Sequence, residues 1–204
     1  MTSESKIGIL AIQGDYEAHA KMLQSIGVEH SFVRTPQDLA GLDAIILPGG
    51  ESTTHLKVLT EEGLFDALKN FAAQNHAFFG TCAGTILLAK EVHNPPQASL
   101  ALLDATVLRN GYGRQLASDV HMGQTKLHEA PLEMVFIRAP IIEKIGPNVE
   151  ILAEDNGRPV LVRQGRMLAS TFHPELTDDP TVHKYFVNLA RNGVAESHQS
   201  TEVK

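Results

Sequence analysis

Short apolar segments alternate with amphipathic ones through the first 90 residues, and this alternation restricts the fold more than any other feature of the sequence. The strand-like runs end at Gly, Thr-Pro or Pro-Gly and cover residues 6–13, 28–33, 44–47 and 77–79. Helical spacing of apolar residues follows them, at 15–26, 52–59, 64–73 and 83–90. Strands that alternate with helices form a parallel sheet covered on both faces. The sequence therefore predicts a doubly wound α/β fold.

From residue 95 onward the pattern changes to short β-rich runs. They cover residues 105–109, 134–138, 149–153, 159–163 and 167–172. Such runs usually add antiparallel strands to the same sheet. A last helix is predicted over 181–191, followed by a polar, frayed tail at 195–204. Because no linker or repeat divides the chain, we expect a single domain over 1–204 with its core at about 6–191.

The strongest chemical signal is the only cysteine, Cys82, in the sequence GTCAG between an apolar strand and a helix. A nucleophile on a strand-to-helix elbow has a strained backbone and needs small residues two positions before and after it, here Gly80 and Gly84. The following helix points its N-terminus at the thiol and favours the thiolate. A buried core cysteine is the alternative, which this context makes the weaker interpretation.

A cysteine nucleophile needs a base, and the base needs a group that orients it. His173 and Glu175 follow an apolar run, with Pro174 between them. The imidazole would lie at a strand end, on the side of the sheet where elbow residues also emerge. Nine other histidines compete for this role, but only His173 combines a strand end, a proline and a carboxylate.

Two glycines, Gly49 and Gly50, follow the third strand. Backbone N–H groups there, together with the N–H of Ala83, could bind the oxyanion of a tetrahedral intermediate. An ordinary turn with Ser52 or Thr53 as the helix N-cap explains the same residues, so both interpretations stay open here.

Two arginines, Arg109 and Arg138, lie in loops or at strand ends, where a guanidinium fork could hold a substrate carboxylate. Local surface ion pairs are the usual alternative. The motifs H-E-x-x-H, H-x-H and G-x-G-x-x-G are missing from the sequence. It therefore predicts neither a metal nor a dinucleotide cofactor.

Charge and cysteine content narrow the choice of partners. Lys and Arg number 17 and Asp and Glu 24, a net charge of −7 with no basic run, which argues against nucleic-acid and anionic-membrane partners. The first apolar run is too short for a signal segment or a membrane span. One cysteine without a CxxC pair suits a reducing compartment. We expect a cytoplasmic protein.

Six motifs together resemble the class I glutamine amidotransferases and, more closely, the family of glutaminase subunits of pyridoxal 5′-phosphate synthase. They occur in family order over about 6–191: AIQG (11–14), LPGGEST (47–53), FGTCAG (79–84), RNGYGRQ (109–115), FIRAP (136–140) and TFHPELT (171–177). The resemblance implies a flavodoxin-like, mostly parallel sheet with antiparallel additions. It also implies that the chain hydrolyses L-glutamine, without a cofactor, and delivers ammonia to the lyase subunit of the synthase.

The resemblance also implies residue roles. Cys82 would be the nucleophile, His173 the proton-transfer residue and Glu175 its orienting carboxylate. Contacts with glutamine would come from Gly50, Glu51, Ser52, Arg109, Ile137 and Arg138. Gln13 would lie near the face that meets the synthase.

Two other functions remain to be weighed. A PfpI-like cysteine hydrolase or stress protein shares the cysteine elbow, but would not call for PGGEST, FIRAP and HPE together. A non-catalytic module that regulates a synthase would keep complex function with glutamine after Cys82→Ala. The glutaminase hypothesis predicts the opposite.

Overall fold

The computed structural model describes residues 5–111 and 118–199, and for 192–199 it describes the backbone alone. Residues 112–115 of the RNGYGRQ motif and residues 200–204 of the predicted tail lie outside the described residues. The elements are, in chain order, β1 (Ile7–Leu10), α1 (Tyr16–Ser25), β2 (His30–Val33), β3 (Ala44–Leu47), α2 (Ser52–Glu61), α3 (Leu64–Ala73), β4 (Ala77–Thr81), α4 (Ala83–Leu88), β5 (Ala89–His93), β6 (Leu103–Leu108), β7 (Ser118–Gly123), β8 (Leu132–Ile137), β9 (Ile141–Ile145), β10 (Glu150–Asp155), β11 (Arg158–Gln164), β12 (Met167–Ser170) and α5 (Thr181–Gln199). Short 3-10 turns occupy Pro36–Leu39 and Pro174–Leu176.

The main sheet has seven strands in the order β10-β11-β12-β4-β3-β1-β2. Strands β2, β1, β3, β4 and β12 are mutually parallel, and β11 and β10 extend the β12 edge in antiparallel pairing. The parallel part has the strand order of flavodoxin-like sheets, with the change of winding direction between β1 and β3. The predicted mostly parallel sheet with antiparallel additions is confirmed.

Three details of the prediction are wrong. The segments predicted at 105–109 and 134–138 do not join the main sheet, since β6 pairs with β5 and β9, and β8 pairs with β7. The helix predicted to Lys90 ends at Leu88, because the next five residues form β5, which pairs with β6. The last helix continues beyond Arg191 to Gln199, since the sequence offers no proline to end it and extending a helix costs less than starting one.

Both faces of the sheet are buried, and the strands are apolar at consecutive positions for that reason. Ile45 and Phe78 belong to one core cluster, which α2, α3 and α4 complete. Their chain neighbours, Ile46 and Phe79, belong to the other cluster, together with side chains of α1 and α5. Packing on both faces of the sheet thus holds the loops at its strand ends in fixed positions. Among the described residues, no helix is both long and apolar enough to cross a membrane.

Candidate active site

A cavity of about 240 Å³ opens at the carboxyl ends of β1, β3, β4 and β12. In open α/β sheets, ligands bind at this edge, where the winding direction changes. The side chains and backbone around the cavity belong to Gln13, Asp15, Gly50, Glu51, Ser52, Cys82, Ile86, Arg109, Asn110, Ile137, Arg138 and His173. Nine of the residues predicted for the site therefore line one cavity, although they are up to 160 positions apart in the chain.

Cys82 occupies the sharp turn between β4 and α4, as the GTCAG pattern predicts. Its φ of 48° and ψ of −101° lie outside the ordinary regions for a residue with a side chain. Its N–H donates to the carbonyl of Ser170 at 2.8 Å, which ties the turn to the end of β12. A Cβ on Gly84 would lie 1.9 Å from the Leu47 carbonyl oxygen, so only glycine allows this helix to start so close to β3.

His173 and Glu175 form a buried pair beside the cysteine. His173 Nδ1 and Glu175 Oε1 are 2.8 Å apart, and the side chains are 3% and 0% exposed. The backbone N–H of His173 donates to the Val135 carbonyl at 2.8 Å, which fixes the strand end against β8. Pro174 begins the 3-10 turn that returns Glu175 towards the ring. The predicted juxtaposition of imidazole and carboxylate is present.

His173 and Glu175 each stabilise the charged form of the other. Burial disfavours the protonated ring, but hydrogen bonds with Cys82 and Glu175 outweigh burial and raise the pKa of His173 to about 10. Burial also opposes ionisation of Glu175, yet the neighbouring His19 and the hydrogen bond from His173 hold the pKa of that carboxyl well below its usual range. A protonated imidazole beside an ionised carboxylate is therefore the favoured state of the pair.

We expect the free energy of unfolding to pass through a maximum near pH 6.5. His183 is fully buried, and burial lowers its pKa from 6.5 to about 3. Below pH 6.5 the unfolded chain therefore binds a proton that the folded chain does not, which lowers the free energy of unfolding by about 1–2 kcal/mol between pH 6.5 and pH 5. Above pH 6.5 the unfolded chain loses a proton that folded His173 keeps up to about pH 10, so stability falls again.

Urea unfolding between pH 4.5 and pH 9.5 measures this curve. In His183→Leu, the decline between pH 6.5 and pH 4.5 should be shallower than in the wild type, although His55 and His76, whose pKa values burial also lowers, still contribute to it. An unchanged acid decline in the variant would contradict this assignment.

Glu51, predicted as a substrate contact, is the N-cap of α2. Its carboxylate accepts hydrogen bonds from the N–H groups of Thr53 and Thr54 at 3.1 and 2.8 Å. Burial opposes ionisation, but these N–H groups lower the pKa of Glu51 to about 2. The alternative N-caps named from the sequence, Ser52 and Thr53, are wrong. Ser52 is buried instead and donates from Oγ to Gln97 Oε1 at 3.0 Å.

The two predicted arginines reach the cavity from different sides. Arg109 donates to Thr53 Oγ1 at 2.7 Å and lies 3.4 Å from Glu51 Oε1. Arg138 is exposed directly after β8 and has a φ of 44°. Ile137 precedes it, and its carbonyl oxygen lies 3.8 Å from Cys82 Sγ. Both arginines thus line the cavity that also contains Cys82.

Three other predicted residues have distinct positions. Gln13 accepts a hydrogen bond at Oε1 from the Glu51 N–H at 3.1 Å, so its side chain joins the loop after β1 to the loop after β3. Gly49 packs directly on the imidazole, since a Cβ there would lie 2.4 Å from His173 Cε1. Ala83 is buried at the first position of α4.

Sequence reasoning missed several residues of the site. Asp15, Ile86 and Asn110 line the cavity. Asp15 Oδ2 lies 3.6 Å from His173 Nδ1. Its position in the loop after β1, at the edge of the sheet where ligands bind, is a sequence signal that could have identified it. Two buried side chains behind Glu175, His19 and Thr81, were also missed because they resemble ordinary helix and strand positions in the sequence.

Among the described residues, the only group of three or more potential metal ligands with their ligand atoms close together consists of Asp15, His173 and Glu175, whose ligand atoms lie within 4.8 Å of one another. His173 Nδ1 and Glu175 Oε1 already bond to each other. A metal there would have to break that hydrogen bond, so these residues fit a proton-transfer pair better than a metal centre.

A strained cysteine at a strand-to-helix turn, next to a buried His–Glu pair on a doubly wound sheet, is the arrangement that cysteine hydrolases of the triad type use. Similarity to known proteins narrows this class to one family. The chain belongs to the SNO glutamine amidotransferase family, whose sequence profile matches residues 9–192. The pyridoxal 5′-phosphate synthase subunit PdxT of Koribacter versatilis is 50% identical over 188 residues, which is 92% of this chain and 97% of the relative.

Solved structures agree with this assignment. A crystal structure of a glutamine amidotransferase superposes with a TM-score of 0.85 at 46% identity, covering 90% of this chain and 98% of the other. The structure of PurLQS from Thermotoga maritima shares the fold, with a TM-score of 0.66 at 18% identity over 91% of this chain and 98% of that one. The family match confirms the resemblance seen in the motifs and disfavours a PfpI-like hydrolase.

Proposed function

We propose that this protein hydrolyses L-glutamine to L-glutamate and ammonia and delivers the ammonia to the lyase subunit of a pyridoxal 5′-phosphate synthase. The observation that carries the proposal is the convergence of Cys82 with the His173–Glu175 pair on one cavity of a glutamine amidotransferase family member. The curated relative, itself called a subunit of that synthase, supports the choice of partner.

The chemistry is acyl transfer through a thioester. The Cys82 thiolate attacks the side-chain amide carbon of glutamine, and the N–H groups of Gly49 or Gly50 and of Ala83 stabilise the oxyanion. His173 gives its proton to the nitrogen as the C–N bond breaks, and ammonia leaves. His173 then accepts a proton from the water that attacks the γ-glutamyl thioester, which releases glutamate and restores the thiolate.

Residues at the rim of the cavity would bind the α-amino and α-carboxylate groups of glutamine. Arg109 and Arg138 supply positive charge for the α-carboxylate. Polar backbone and side-chain groups of Gly50, Glu51 and Ser52 face the same space, and Ile137 borders it next to the thiol. Because the Glu51 carboxylate is engaged as a helix cap, its part in binding is to hold this loop and Arg109 in place.

The partner is needed because ammonia released into water at pH 7 is mostly protonated and no longer a nucleophile. We place Gln13 on the side facing the synthase, where its hydrogen bond to the Glu51 N–H connects a partner-facing loop with the oxyanion loop. We further propose one domain over 1–204. A cytoplasmic location suits Cys82, which must stay reduced to act.

Glutamate release from L-glutamine tests the proposal, measured with the purified protein alone and mixed with the lyase subunit of a pyridoxal 5′-phosphate synthase. We expect release to rise when the partner is present, because the backbone at Gly49 and Gly50 can change conformation at low cost when the partner docks. Added ammonium salt should support pyridoxal phosphate formation without glutamine. If no glutamate forms in either condition, the proposal is wrong, and a regulatory module on the same fold becomes the better explanation.

A further inference from the structure

A chain of buried polar side chains continues behind Glu175, away from the cavity. His19 on α1 and His183 on α5 are both 0% exposed, and their rings meet with Nδ1 of His19 2.9 Å from Nε2 of His183. On its other side, His19 Nε2 lies 3.1 Å from Thr81 Oγ1 and 3.4 Å from Glu175 Oε1. The Thr81 hydroxyl in turn lies 3.4 Å from the same carboxylate oxygen.

The hydrogen-bond partners determine where the hydrogens lie. If His19 Nδ1 carried a hydrogen, His183 Nε2 would accept it and the hydrogen of His183 would sit on Nδ1, a buried atom with no hydrogen-bond partner among the described residues. A buried N–H without an acceptor is rarer in proteins than a buried lone pair without a donor. His183 therefore donates from Nε2 to His19 Nδ1, and the hydrogen of His19 lies on Nε2.

This assignment directs a relay of two hydrogen bonds at one carboxylate oxygen. The Nε2–H of His19 donates to Thr81 Oγ1, and the Thr81 hydroxyl then donates to Glu175 Oε1. His19 Nε2 also lies near that oxygen directly. Glu175 Oε1 is the atom that accepts from His173 Nδ1, so these contacts bear on the oxygen that orients the imidazole.

We propose that His19 is a positioning residue of the reaction: its Nε2–H orients the Thr81 hydroxyl, which donates to Glu175 Oε1 and holds that oxygen against His173 Nδ1. The inference rests on the proposed function for its kinetic consequences. A carboxylate two residues from the imidazole has freedom to rotate, and Oε2 finds no hydrogen-bond partner among the described residues. The donors on Oε1 are therefore what fixes its rotamer and keeps it ionised inside the protein.

The test compares His19→Leu with His19→Gln, whose amide nitrogen can restore a donor towards Thr81 and Glu175. In the complex with the lyase subunit, His19→Leu should lower kcat for glutamine hydrolysis about 10- to 100-fold and change KM less than about threefold, because Glu175 does not touch the substrate. His19→Gln should recover most of the loss. His76→Leu is the matched control, since His76 stacks on Phe71 away from the cavity.

A second readout does not depend on turnover. Nuclear magnetic resonance of the His173 ring, without substrate, should show its titration midpoint shifted to lower pH in His19→Leu and restored in His19→Gln. Thr81→Val, which is close in shape, should shift it in the same direction if His19→Leu fails to fold. Wild-type kcat in a folded His19→Leu protein, or an unmoved His173 titration, would overturn the positioning role. If the wild-type complex itself shows no glutaminase activity, the proposed function is wrong, and the His173 titration still tests the contact between His19, Thr81 and Glu175.

Discussion

Replacing Cys82 by Ala is expected to lower glutamine hydrolysis by at least about 10⁴-fold, because the thioester cannot form without the sulfur. The side chain lies at the only position of the chain with a thiol, so no other cysteine can substitute. Pyridoxal phosphate formation by the complex from added ammonium salt should stay within about twofold of wild type. Glutamate release and ammonium-dependent synthesis, measured side by side, separate the two half-reactions.

The backbone at this position provides a control for folding. A side chain at a φ of 48° and ψ of −101° is strained by roughly 1–3 kcal/mol, and only glycine relieves it. We therefore expect Cys82→Gly to unfold at a higher temperature than Cys82→Ala while being equally inactive. The two variants would then differ in stability but not in activity. Glutaminase activity above about 1% of wild type in either variant would show that Cys82 is not the nucleophile.

Strain at the cysteine also explains why this part of the site was predictable from sequence. The strained turn demands glycine two positions before and after the cysteine, and parallel strands bring their carboxyl ends to one edge of the sheet. Together with the predicted parallel sheet, those two rules place Cys82 near His173 and near the loop after β3 before any coordinates are known. The His–Glu hydrogen bond follows from a local turn around Pro174.

Other parts of the site depend on packing between distant elements, and no local pattern encodes them. His19 fits the apolar stripe of α1, where Ala20, Met22 and Leu23 are also buried, so its sequence position looks like a core position. Its partner His183 comes from α5, 164 residues later. The pairing of β5 with β6 was missed for the same reason, because a helix-compatible segment becomes a strand only where a partner strand is available.

Replacing Glu175 by Gln is expected to reduce kcat for glutamine hydrolysis about 10³- to 10⁴-fold in the complex with the lyase subunit, with little change in KM. The carboxylate accepts from His173 Nδ1, and an amide has only one accepting atom. If its NH₂ group faces His173, Nδ1 must accept a hydrogen bond instead of donating one, so the ring cannot carry a hydrogen on both nitrogens and the imidazolium that protonates the leaving nitrogen is lost. If its oxygen faces His173, the NH₂ group occupies the place of Oε2, which has no hydrogen-bond partner among the described residues.

Each orientation of the amide therefore has a cost, and the two costs can be told apart. An imidazole that cannot be protonated on both nitrogens lowers kcat. A buried NH₂ group without an acceptor instead lowers the free energy of unfolding by about 1–3 kcal/mol. Steady-state kinetics and urea unfolding of Glu175→Gln measure both, with Glu61→Gln on the exposed face of α2 as the matched control. If kcat stays within tenfold of wild type, the carboxylate does not orient His173, because a charge buried this deeply and bonded to the imidazole has no other route to the reaction.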